Sequence, residues 1–432
     1  MPRKYENVKE YHDPWYALTA NRLLVTLGGL QGEVNCDVCV VGAGFTGLSA
    51  ALELSQKGYS VILLEKDTIS GLASGRNGGH IQRGFSQSPG WLIQHYGLET
   101  ARFLSNVSLE GLALLLHRIA EHDIKCDLKF GHLSAAMKPK HEAELKADIN
   151  DWQRLGHKDI EWWDEKTVQD TVLTNSYTGG LYDAKGGHFH PFNYALGVAQ
   201  AFQRLGGKIY ERTAATEIIP GNDVQRVLTA SGGSVNAKFV VLAGVTGMKG
   251  LAPLRKASIT ATAHVIATEP LSDARRQQIM TRDLAVIDAR FIMDYYRFSS
   301  DNRLLFGGNC NYSDREYAGE DMRLRERMTT LFPILKMTRI DHCWRGPLDL
   351  TMNRMPHLGR LSPHIYFAHG FGGQGVILTN ILGKIMAEAV AGTAERFDVF
   401  AKIRHNTFPG GDLLRRPLFV AAMTWFRLRD ML

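Results

Sequence analysis

The sequence is poor in cysteine and lacks a long uninterrupted apolar run. Its 432 residues include five cysteines, an odd number that does not make a disulfide framework. Cys36 and Cys39 have CxxC spacing, but they lie in a strand-like run, where residues three apart point to opposite faces. No second CxxC follows, so we expect no metal site. No apolar run reaches the roughly 18 residues needed to span a bilayer.

Clustered basic residues are also scarce outside the C-terminus. The net charge is +6, yet Lys and Arg are dispersed and form no nucleic-acid-binding motif, so we expect no nucleic-acid partner. Residues 1–6 have no apolar segment behind their charges and do not resemble a signal peptide, which predicts a cytoplasmic protein. With 44% apolar and 22% charged residues, the composition is that of a soluble globular protein. Its length favours two domains.

A glycine-rich turn follows the apolar run at residues 36–41, which is typical of a buried parallel strand. The turn has the GxGxxG pattern and consists of Gly42, Ala43, Gly44, Phe45, Thr46 and Gly47. A helical pattern comes next, and a second apolar run at residues 61–64 stops at Glu65 and Lys66. In such a unit the glycines let backbone amides approach a pyrophosphate, and the acid accepts hydrogen bonds from a ribose. The order of these parts predicts dinucleotide binding, and the acid favours FAD or NAD over NADP.

A second glycine-rich loop follows the second strand. It runs from Ala73 to His80 and contains Ser74, Gly75, Arg76, Asn77, Gly78 and Gly79. This loop resembles the flavin-contacting loop of the D-amino-acid oxidase-like (DAO) superfamily, specifically that of bacterial gamma-glutamylputrescine oxidases and L-pipecolate oxidase-type proteins. The resemblance implies that backbone amides of the loop meet the pyrophosphate and the flavin. It also implies that Arg76 pairs with a phosphate or stabilises electron-rich flavin.

Later segments extend the resemblance almost from end to end. Residues 240–244 are similar to a strand that ends near the cofactor, at Ala243 and Gly244, and residues 213–218 to a stretch whose backbone meets adenine, at Ala215. The residues that the resemblance assigns to the flavin pyrimidine ring are Gly370, Phe371, Gly372, Gly373, Gln374, Gly375 and Val376. A helix N-terminus there favours the negative charge of reduced flavin. The family commonly has His where this chain has Gln374.

The resemblance implies an α/β (α+β) fold of the glucose-reductase type, in which a Rossmann-like FAD-binding domain is joined to a second, mostly antiparallel-sheet substrate domain. We expect the FAD-binding domain to comprise residues 1–97, 175–252 and 343–432, and the substrate domain residues 98–174 and 253–342. An apolar stripe predicts a helix at 101–121. Alternating patterns predict strands at 259–268, 285–290, 295–299 and 303–307.

The resemblance also implies FAD that is bound non-covalently. Relatives that attach flavin through a cysteine have it at the position that aligns with Gly346, and Cys343 is three residues away. Relatives that use a histidine have it near the positions of Arg76 and Asn77, and His80 is the nearby histidine of this chain.

The family's chemistry implies oxidation of the carbon–nitrogen bond of a small amine or amino acid to an imine, by hydride transfer to flavin N5. The cofactor supplies the redox chemistry and the protein supplies position and electrostatics, so no dedicated base is required. The candidate catalytic residues are His80, Arg83, Tyr296, Trp344 and His357. His80 can hydrogen-bond substrate or flavin, and Arg83 can hold a carboxylate. Tyr296 lies on a strand between Tyr295 and Arg297, and alternate members of that strand face the site.

Three functions stay open. The first is an amine oxidase of the gamma-glutamylputrescine type. The second is an oxidase or dehydrogenase of a cyclic secondary amino acid such as pipecolate or proline, with Arg83 on the carboxylate. The third is a flavoprotein that modifies nucleic acid or senses redox state, and the dispersed basic charge argues against it. Some amine oxidases activate oxygen with a lysine that aligns with Leu305 here, so a quinone acceptor is considered beside oxygen.

The C-terminal segment at residues 415–429 is basic at both ends and apolar between. Its apolar part is too short to span a bilayer. Such a segment either lies in the interfacial plane of a membrane or packs against the FAD-binding domain or an oligomer interface. We therefore expect either ordinary packing or a peripheral contact with the inner membrane face.

Overall fold

The computed structural model describes residues 14–21, 26–244, 248–313 and 319–431, so residues 1–6, in which we expect no signal peptide, lie outside the described residues. The strands are β1 (Glu33–Val41), β2 (Val61–Leu64), β3 (His80–Ile81), β4 (Lys129–Ala136), β5 (Ile160–Asp164), β6 (Gly179–His188), β7 (Lys208–Tyr210), β8 (Ala215–Ile219), β9 (Gln225–Thr229), β10 (Ser234–Ala243), β11 (Ser258–Thr268), β12 (Ala285–Asp288), β13 (Tyr295–Phe298), β14 (Leu304–Asn311), β15 (Ile340–Thr351), β16 (His357–Ser362) and β17 (Ile365–His369). The helices are α1 (Trp15–Leu18), α2 (Phe45–Gln56), α3 (Ala73–Arg76), α4 (Pro89–Glu121), α5 (Pro139–Arg154), α6 (Glu165–Thr171), α7 (Pro191–Arg204), α8 (Ala252–Ala257), α9 (Asp273–Gln277), α10 (Glu320–Leu331), α11 (Gly375–Val390), α12 (Glu395–Ala401) and α13 (Gly411–Met431), and a 3-10 turn spans Pro333–Leu335.

The first sheet is built around parallel strands. Its order is β16-β17-β10-β1-β2-β7, and β9 and β8 continue it from β10. β1 pairs in parallel with β2 and β10, and β10 pairs in parallel with β17. The apolar runs predicted as strands at 36–41 and 61–64 lie in β1 and β2. Because parallel strands end at the same edge of a sheet, Val41, Leu64 and Ala243 lie together at one edge, where ligands of such folds bind.

The second sheet has nine strands, in the order β15-β11-β14-β13-β12-β4-β6-β3, with β5 paired to β6. Its pairs are antiparallel except for β12 with β4. The strands predicted by alternation between residues 259 and 307 appear as β11, β12, β13 and β14, each within a few residues of its expected ends. Together with the first sheet, this confirms the predicted fold class.

Helix α4 begins earlier than the helix predicted at 101–121. The Ser88 side chain accepts a hydrogen bond from the Trp91 amide and Pro89 occupies the first turn, which is a strong start signal. Gly97 interrupts the helix with φ of 78°. The apolar stripe that carried the prediction begins only after this kink, which explains the difference.

The proposed domain boundaries cross the second sheet at three places. β3 lies within 1–97, β6 lies within 175–252 and β15 begins at residue 340, yet all three strands pair in the second sheet. Sheet membership therefore gives the second sheet three strands from segments that the sequence assigns wholly or mainly to the FAD-binding domain. The discontinuous division itself stays a prediction.

Buried side chains form separate clusters on the two sheets. One large cluster packs α2, α4, α7 and α11 against one face of the first sheet, and another fills the space between the second sheet and α10. Among the described residues, no single helix has both the length and the hydropathy to cross a bilayer. The consecutive helices α11 and α12 meet those criteria only as a pair that bends by 117°.

Candidate cofactor and substrate site

The glycine-rich turn after β1 is compressed between its strand and α2. Gly42 has φ of 102°, and a Cβ on Gly47 would lie 1.9 Å from the Gly42 carbonyl oxygen. A Cβ on Gly44 would lie 2.9 Å from the hydroxyl of Ser74, which accepts a hydrogen bond from the Phe45 amide. Larger residues at these three positions would therefore force the turn and the helix apart. Thr46, in the first turn of α2, is buried.

Glu65 fixes the turn from the end of β2. Its Oε2 accepts a hydrogen bond from the Ala43 amide at 2.8 Å, and its Oε1 accepts one from the Asp67 amide at 3.0 Å. Burial raises the pKa of this carboxyl, and the two amide hydrogen bonds oppose that effect. A carboxylate has about four acceptor positions, so two ribose hydroxyls can still donate to it. Lys66 is exposed and lies 3.5 Å from Asp67.

The second glycine-rich loop is held from within by Asn77. The side-chain amide of Asn77 donates to the carbonyl oxygens of Ala73 and Ser74, and its Oδ1 accepts from the Gly79 amide at 2.8 Å. Nε of Arg76 donates to the Gly71 carbonyl oxygen at 2.6 Å. Gly75 is buried, and its Cβ would lie 2.3 Å from the Ser70 carbonyl oxygen.

Two side chains of the second sheet hold the carbonyl groups of the same loop. Nε1 of Trp344 donates to the Arg76 carbonyl oxygen at 3.0 Å, and Nε of Arg297 donates to the Gly78 carbonyl oxygen at 2.7 Å. Trp344, predicted as a catalytic residue, is 2% exposed and therefore contacts the loop from the core. The loop is thus fixed by residues of β13 and β15.

Strand β13 presents Tyr295 and Arg297 to the loop, and Tyr296 to the other side. Tyr296, predicted as a catalytic residue, is fully buried in the cluster beside α10, and its hydroxyl donates to the Tyr177 hydroxyl at 3.1 Å. The Tyr295 ring lies so close to Gly78 that a Cβ there would meet it at 2.7 Å. The alternation of side chains along a strand defines its two faces but does not say which face meets the loop. The packing of the sheet determines that. The sequence named this strand and chose Tyr296, whereas Tyr295 and Arg297 are the members that contact the loop.

His80 begins β3 beside this loop, and its two ring nitrogens are buried without a hydrogen-bond partner among the described residues. Its ring meets the rings of Tyr295 and His132 edge-on, at centroid distances of 5.5 and 5.6 Å. Burial, together with the nearby charge of Arg297, holds the pKa of His80 well below its ordinary value. A neutral imidazole with a free donor and a free acceptor is suited to hydrogen-bond a ligand.

Arg83 is already paired inside the protein. Its Nε and NH2 groups donate to the two carboxylate oxygens of Asp183 at 2.7 and 2.5 Å, and both side chains are buried. The Asp183 carboxylate also accepts from the amides of Lys185 and Gly186. A bidentate pair of this kind neutralises the guanidinium, so the expected role of Arg83 as the holder of a substrate carboxylate has to compete with Asp183.

The loop between β17 and α11 is tied to β15 by Asp349. The Asp349 carboxylate accepts from the Gly370 amide at 2.9 Å, and its carbonyl oxygen accepts from the Gly372 amide at 3.0 Å. Gly370 has φ of 74°, and its Cβ would lie 2.5 Å from Thr351. The backbone of Phe371 forms a bridge with that of Leu350.

The other side of this loop contacts residues that follow β3. Nε2 of Gln374 donates to Oε1 of Gln82 at 2.8 Å, and the Ser86 hydroxyl donates to the Gly372 carbonyl oxygen at 2.8 Å. Gly373 is exposed with φ of 96°, and Gly375 and Val376 begin α11, whose N-terminus has no side-chain cap. The structure therefore brings this loop next to the chain that follows the Ala73–His80 loop.

His357 belongs to a group of histidines behind the Gly370 loop. Its Nδ1 is 2.9 Å from Nε2 of His369, whose Nδ1 is 3.0 Å from the Asp349 carboxylate. The His405 ring stacks on the His357 ring, with their centroids 4.2 Å apart. Burial lowers the pKa of His357 to about 3, with His405 and His369 adding to the effect. The imidazole of His357 thus lies behind the loop, one hydrogen bond away from His369.

The remaining expected cofactor residues lie at the strand ends of the first sheet. Ala215 begins β8, Ala243 ends β10 and Gly244 follows it with φ of 134°. A Cβ on Gly42 would lie 2.8 Å from the Ala243 carbonyl oxygen, so the end of β10 contacts the first glycine-rich turn.

This arrangement fits a bound dinucleotide with a flavin. The compressed turn leads into α2 without a side-chain cap, which suits a pyrophosphate. The Glu65 carboxylate retains acceptor positions, and the unpartnered nitrogens of His80 lie beside the Ala73–His80 loop. Fold and site together define a flavin-dependent oxidoreductase.

A family model for FAD-dependent oxidoreductases matches residues 37–389, and the chain belongs to this family. The chain is 38% identical to a gamma-glutamylputrescine oxidoreductase of Escherichia coli (strain K12), over 98% of the chain and 99% of the relative. It is 37% identical to the probable oxidoreductase OrdL of Haemophilus influenzae, over 92% of each chain. The predicted superfamily and the predicted cofactor, FAD, are confirmed.

Solved structures with the same fold include a glycine oxidase from Geobacillus kaustophilus, with a TM-score of 0.72 and 21% identity over 86% of this chain and 99% of that one. An L-proline dehydrogenase from P. horikoshii has a TM-score of 0.69 and 19% identity over 84% of this chain and 94% of that one. At these identities the likeness concerns the fold.

Replacement of Glu65 tests the cofactor site. We expect Glu65→Ala to raise the Kd for FAD by about 30-fold or more, because losing hydrogen bonds to a buried charged acceptor costs on the order of 2–4 kcal/mol. The rate of flavin reduction in enzyme that retains FAD should change much less. Fluorescence of released FAD gives the Kd. Glu33→Ala, which removes an exposed acid at the start of β1, is the control, and an unchanged Kd in Glu65→Ala would contradict this placement of the ribose.

Acid should destabilise the protein through its buried histidines. Burial lowers the pKa of His132 and His188 to about 4 and that of His190 to about 3, with Arg297 contributing at His188 and His190. Below a pH of about 6.5 the unfolded chain binds these protons and the folded chain does not, so stability falls as the pH drops from about 6.5 towards 4.

Urea unfolding at pH 7.5 and pH 5 measures this slope. His190 caps α7 through the Asn193 amide, so His190→Asn keeps the cap and should reduce the slope by up to about 1.4 kcal/mol per pH unit. His117→Gln, at an exposed histidine, should leave the slope unchanged. Equal slopes in all three proteins would refute the assignment.

Proposed function

We propose that the protein oxidises the carbon–nitrogen bond of a small amine of the gamma-glutamylputrescine type to an imine. The observation that carries the proposal is the neutral imidazole of His80 beside the Ala73–His80 loop, whose nitrogens have no hydrogen-bond partner among the residues that the structure describes. Oxidation of a carbon next to nitrogen requires the amine to be neutral. A neutral imidazole accepts a hydrogen bond from the amine and, unlike a carboxylate, does not favour its protonated form. Likeness to the gamma-glutamylputrescine oxidoreductase over nearly the whole chain supports the same substrate class.

The alternative substrate, a cyclic secondary amino acid such as pipecolate or proline, draws on Arg83 as the carboxylate holder. The bidentate contact of Arg83 with Asp183 weighs against it, because a substrate carboxylate would have to share a neutralised guanidinium. An amine whose carboxylate is distant from the reacting carbon does not need this residue. We therefore favour the amine.

Bound FAD supplies the redox chemistry by accepting the hydride from the carbon next to nitrogen. The residues that we propose to hold it are Gly42, Gly44, Phe45, Thr46, Gly47, Glu65, Lys66, Ser74, Gly75, Arg76, Asn77, Gly78, Gly79, Ala215, Ala243, Gly244, Gly370, Phe371, Gly372, Gly373, Gln374, Gly375 and Val376. In this proposal His80 orients the amine, while Trp344 and Asp349 keep the two loops in position. We propose non-covalent binding, because the position that aligns with the attaching cysteine is Gly346.

We further propose that the electrons pass to oxygen or a quinone, and that the protein is cytoplasmic with a peripheral contact at the membrane. Leu305 is buried in the core at the position where some amine oxidases have an oxygen-activating lysine. A membrane quinone becomes accessible if the protein binds the bilayer surface. The segment that we assign to this contact is α13.

Helix α13 packs on the protein with one face and exposes a second apolar face. Phe419 and Phe426 meet Tyr312 and Phe291 at ring distances of 5.4 and 5.5 Å, and Met423 is buried. The opposite face carries large apolar side chains that are 46–65% exposed, namely Leu414, Leu418, Trp425 and Leu428. Their spacing of four, seven and three residues keeps them on one stripe. Arginines flank this stripe, as in helices that bind anionic lipid.

The substrate class is tested by anaerobic bleaching of the flavin. We expect gamma-glutamylputrescine to reduce the bound FAD faster than putrescine, glycine, L-pipecolate or L-proline at the same concentration. Stopped-flow absorbance measures the rates. Arg83→Met should not selectively impair reduction by the amine in protein that still folds. Faster bleaching by L-pipecolate or L-proline, abolished in Arg83→Met, would overturn the choice of substrate.

The membrane contact is tested by sedimentation with liposomes. The protein should sediment with vesicles of phosphatidylcholine and phosphatidylglycerol, and less with phosphatidylcholine alone. Leu418→Glu combined with Trp425→Glu, or deletion of 415–432, should abolish binding, and turnover should be faster with a quinone than with oxygen. Met337→Glu, at an exposed methionine elsewhere, is the matched control. Rapid turnover with oxygen and liposome binding that is insensitive to the stripe would rule out this role.

A further inference from the structure

Arg297 is a buried guanidinium with neutral partners. It is 2% exposed, and its Nε, NH1 and NH2 groups donate to the Gly78 carbonyl oxygen, the Phe298 carbonyl oxygen and the Tyr16 hydroxyl at 2.7, 3.0 and 3.0 Å. Over residues 14–21, 26–244, 248–313 and 319–431, no carboxylate forms an ion pair with it. Buried charges are usually paired, because an isolated charge in the interior is costly.

The other arginines of the same hairpin region do not share this property. Arg303, which precedes β14, pairs with Asp301 at 2.8 Å and with Asp341 at 2.6 Å. Arg290 pairs with Asp288 and Asp294. The second sheet thus supplies acids to arginines that are much more exposed than Arg297. Among the described residues, therefore, Arg297 differs from these arginines in having no acid beside it.

The described titratable groups that face Arg297, namely Tyr16, His80, His188 and His190, are all neutral. Burial raises the pKa of Tyr16, so its hydroxyl stays protonated despite the arginine. Burial, with Arg297 adding to it, lowers the pKa of His80, His188 and His190. The nearest acid that contacts this group is Asp283, which lies 3.0 Å from His188 and 3.1 Å from Arg276 and is therefore already shared. Within the part of the chain that the structure describes, no member of the group carries a charge that would balance Arg297.

The position of Arg297 indicates where its counter-charge lies. It contacts Gly78 in the loop that also bonds to the first turn of α2 through Ser74, and a Cβ on Gly79 would lie 2.8 Å from its NH2 group. The same group of side chains includes His80, whose ring nitrogens lack partners. The guanidinium of Arg297 and the imidazole of His80 therefore both lie beside this loop.

We propose that the counter-charge of Arg297 is the cofactor itself in its reduced, anionic form, so that Arg297 makes the bound flavin easier to reduce. Arg297 is a positioning residue, because it acts through the backbone of Gly78 and through its field. In general, a unit charge within roughly 10 Å of a group changes an equilibrium at that group by about tenfold or more, at an effective dielectric constant of about 20. This inference rests on the family and its cofactor, and it holds for any amine or amino-acid substrate.

The experiment measures the midpoint potential of bound FAD in the holoenzyme, by slow enzymatic reduction against a reference dye. In Arg297→Gln the equilibrium constant for two-electron reduction should fall about tenfold, which is a shift of about 30 mV to more negative potential. Arg297→Lys keeps the charge, so its potential should stay near that of the wild type although its Kd for FAD rises. Arg303→Gln removes the same charge from a residue that bonds to Asp301, Asp341 and Thr268 instead of to the loop, and should leave the potential unchanged.

A second pair of variants covers the case in which Arg297→Gln does not fold. Tyr16→Glu would place a carboxylate next to the guanidinium, and its potential should be more negative than that of Tyr16→Gln. Wild-type potential in FAD-loaded Arg297→Gln, or equal potentials in the two Tyr16 variants, would overturn the proposal. Because the reduction uses no amine, these outcomes are independent of the substrate panel, and a wrong substrate would leave the potentials as predicted.

Discussion

The hydrogen bond from the Ala43 amide to the Glu65 carboxylate joins the first two strands of the parallel sheet where both of them end. The turn that follows β1 can be this tight only because a charged acceptor replaces water at its buried amide. Ser70 strengthens the same point, since its amide and hydroxyl both donate to the Ala43 carbonyl oxygen. From this fixed turn α2 departs in one direction, and the Ser74 hydroxyl attaches the second loop to it. The positions of α2 and of the Ala73–His80 loop therefore depend on this one hydrogen bond.

The second sheet does more than cover the first. Two of its strands reach across to the Ala73–His80 loop, where Trp344 and Arg297 bond carbonyl groups that the parallel sheet leaves open. A loop rich in glycine has little stiffness of its own. The Ala73–His80 loop is therefore made rigid by its hydrogen bonds with Arg297 and Trp344 of the second sheet. The conformation of this loop therefore depends on contacts from both sheets.

Much of the fold and of the first glycine-rich turn could be predicted from the sequence, because elements that follow one another directly along the chain leave a recognisable residue pattern. The strand, turn, helix and acid around Gly42 and Glu65 follow from local sterics and hydrogen bonding, and the resemblance extended the expectation to FAD. The alternation in β13 correctly indicated a strand. It did not reveal that Tyr295 faces the loop, because each face of that strand carries a tyrosine and both faces are largely buried. The pairing of Arg83 with Asp183 joins residues a hundred positions apart, and no local pattern contains it.

The contact between Tyr16 and Arg297 also has a consequence for the order in which the chain can assemble. The two residues are separated by 281 positions, so during synthesis the ring of Tyr16 leaves the ribosome roughly 15–55 s before its hydrogen-bond donor does, at about 5–20 residues per second. The ring of Trp344, which meets Tyr16 edge-on at 5.4 Å, arrives later still. The first strands of the parallel sheet are therefore synthesised long before the side chains of β13 and β15 that fix the Ala73–His80 loop.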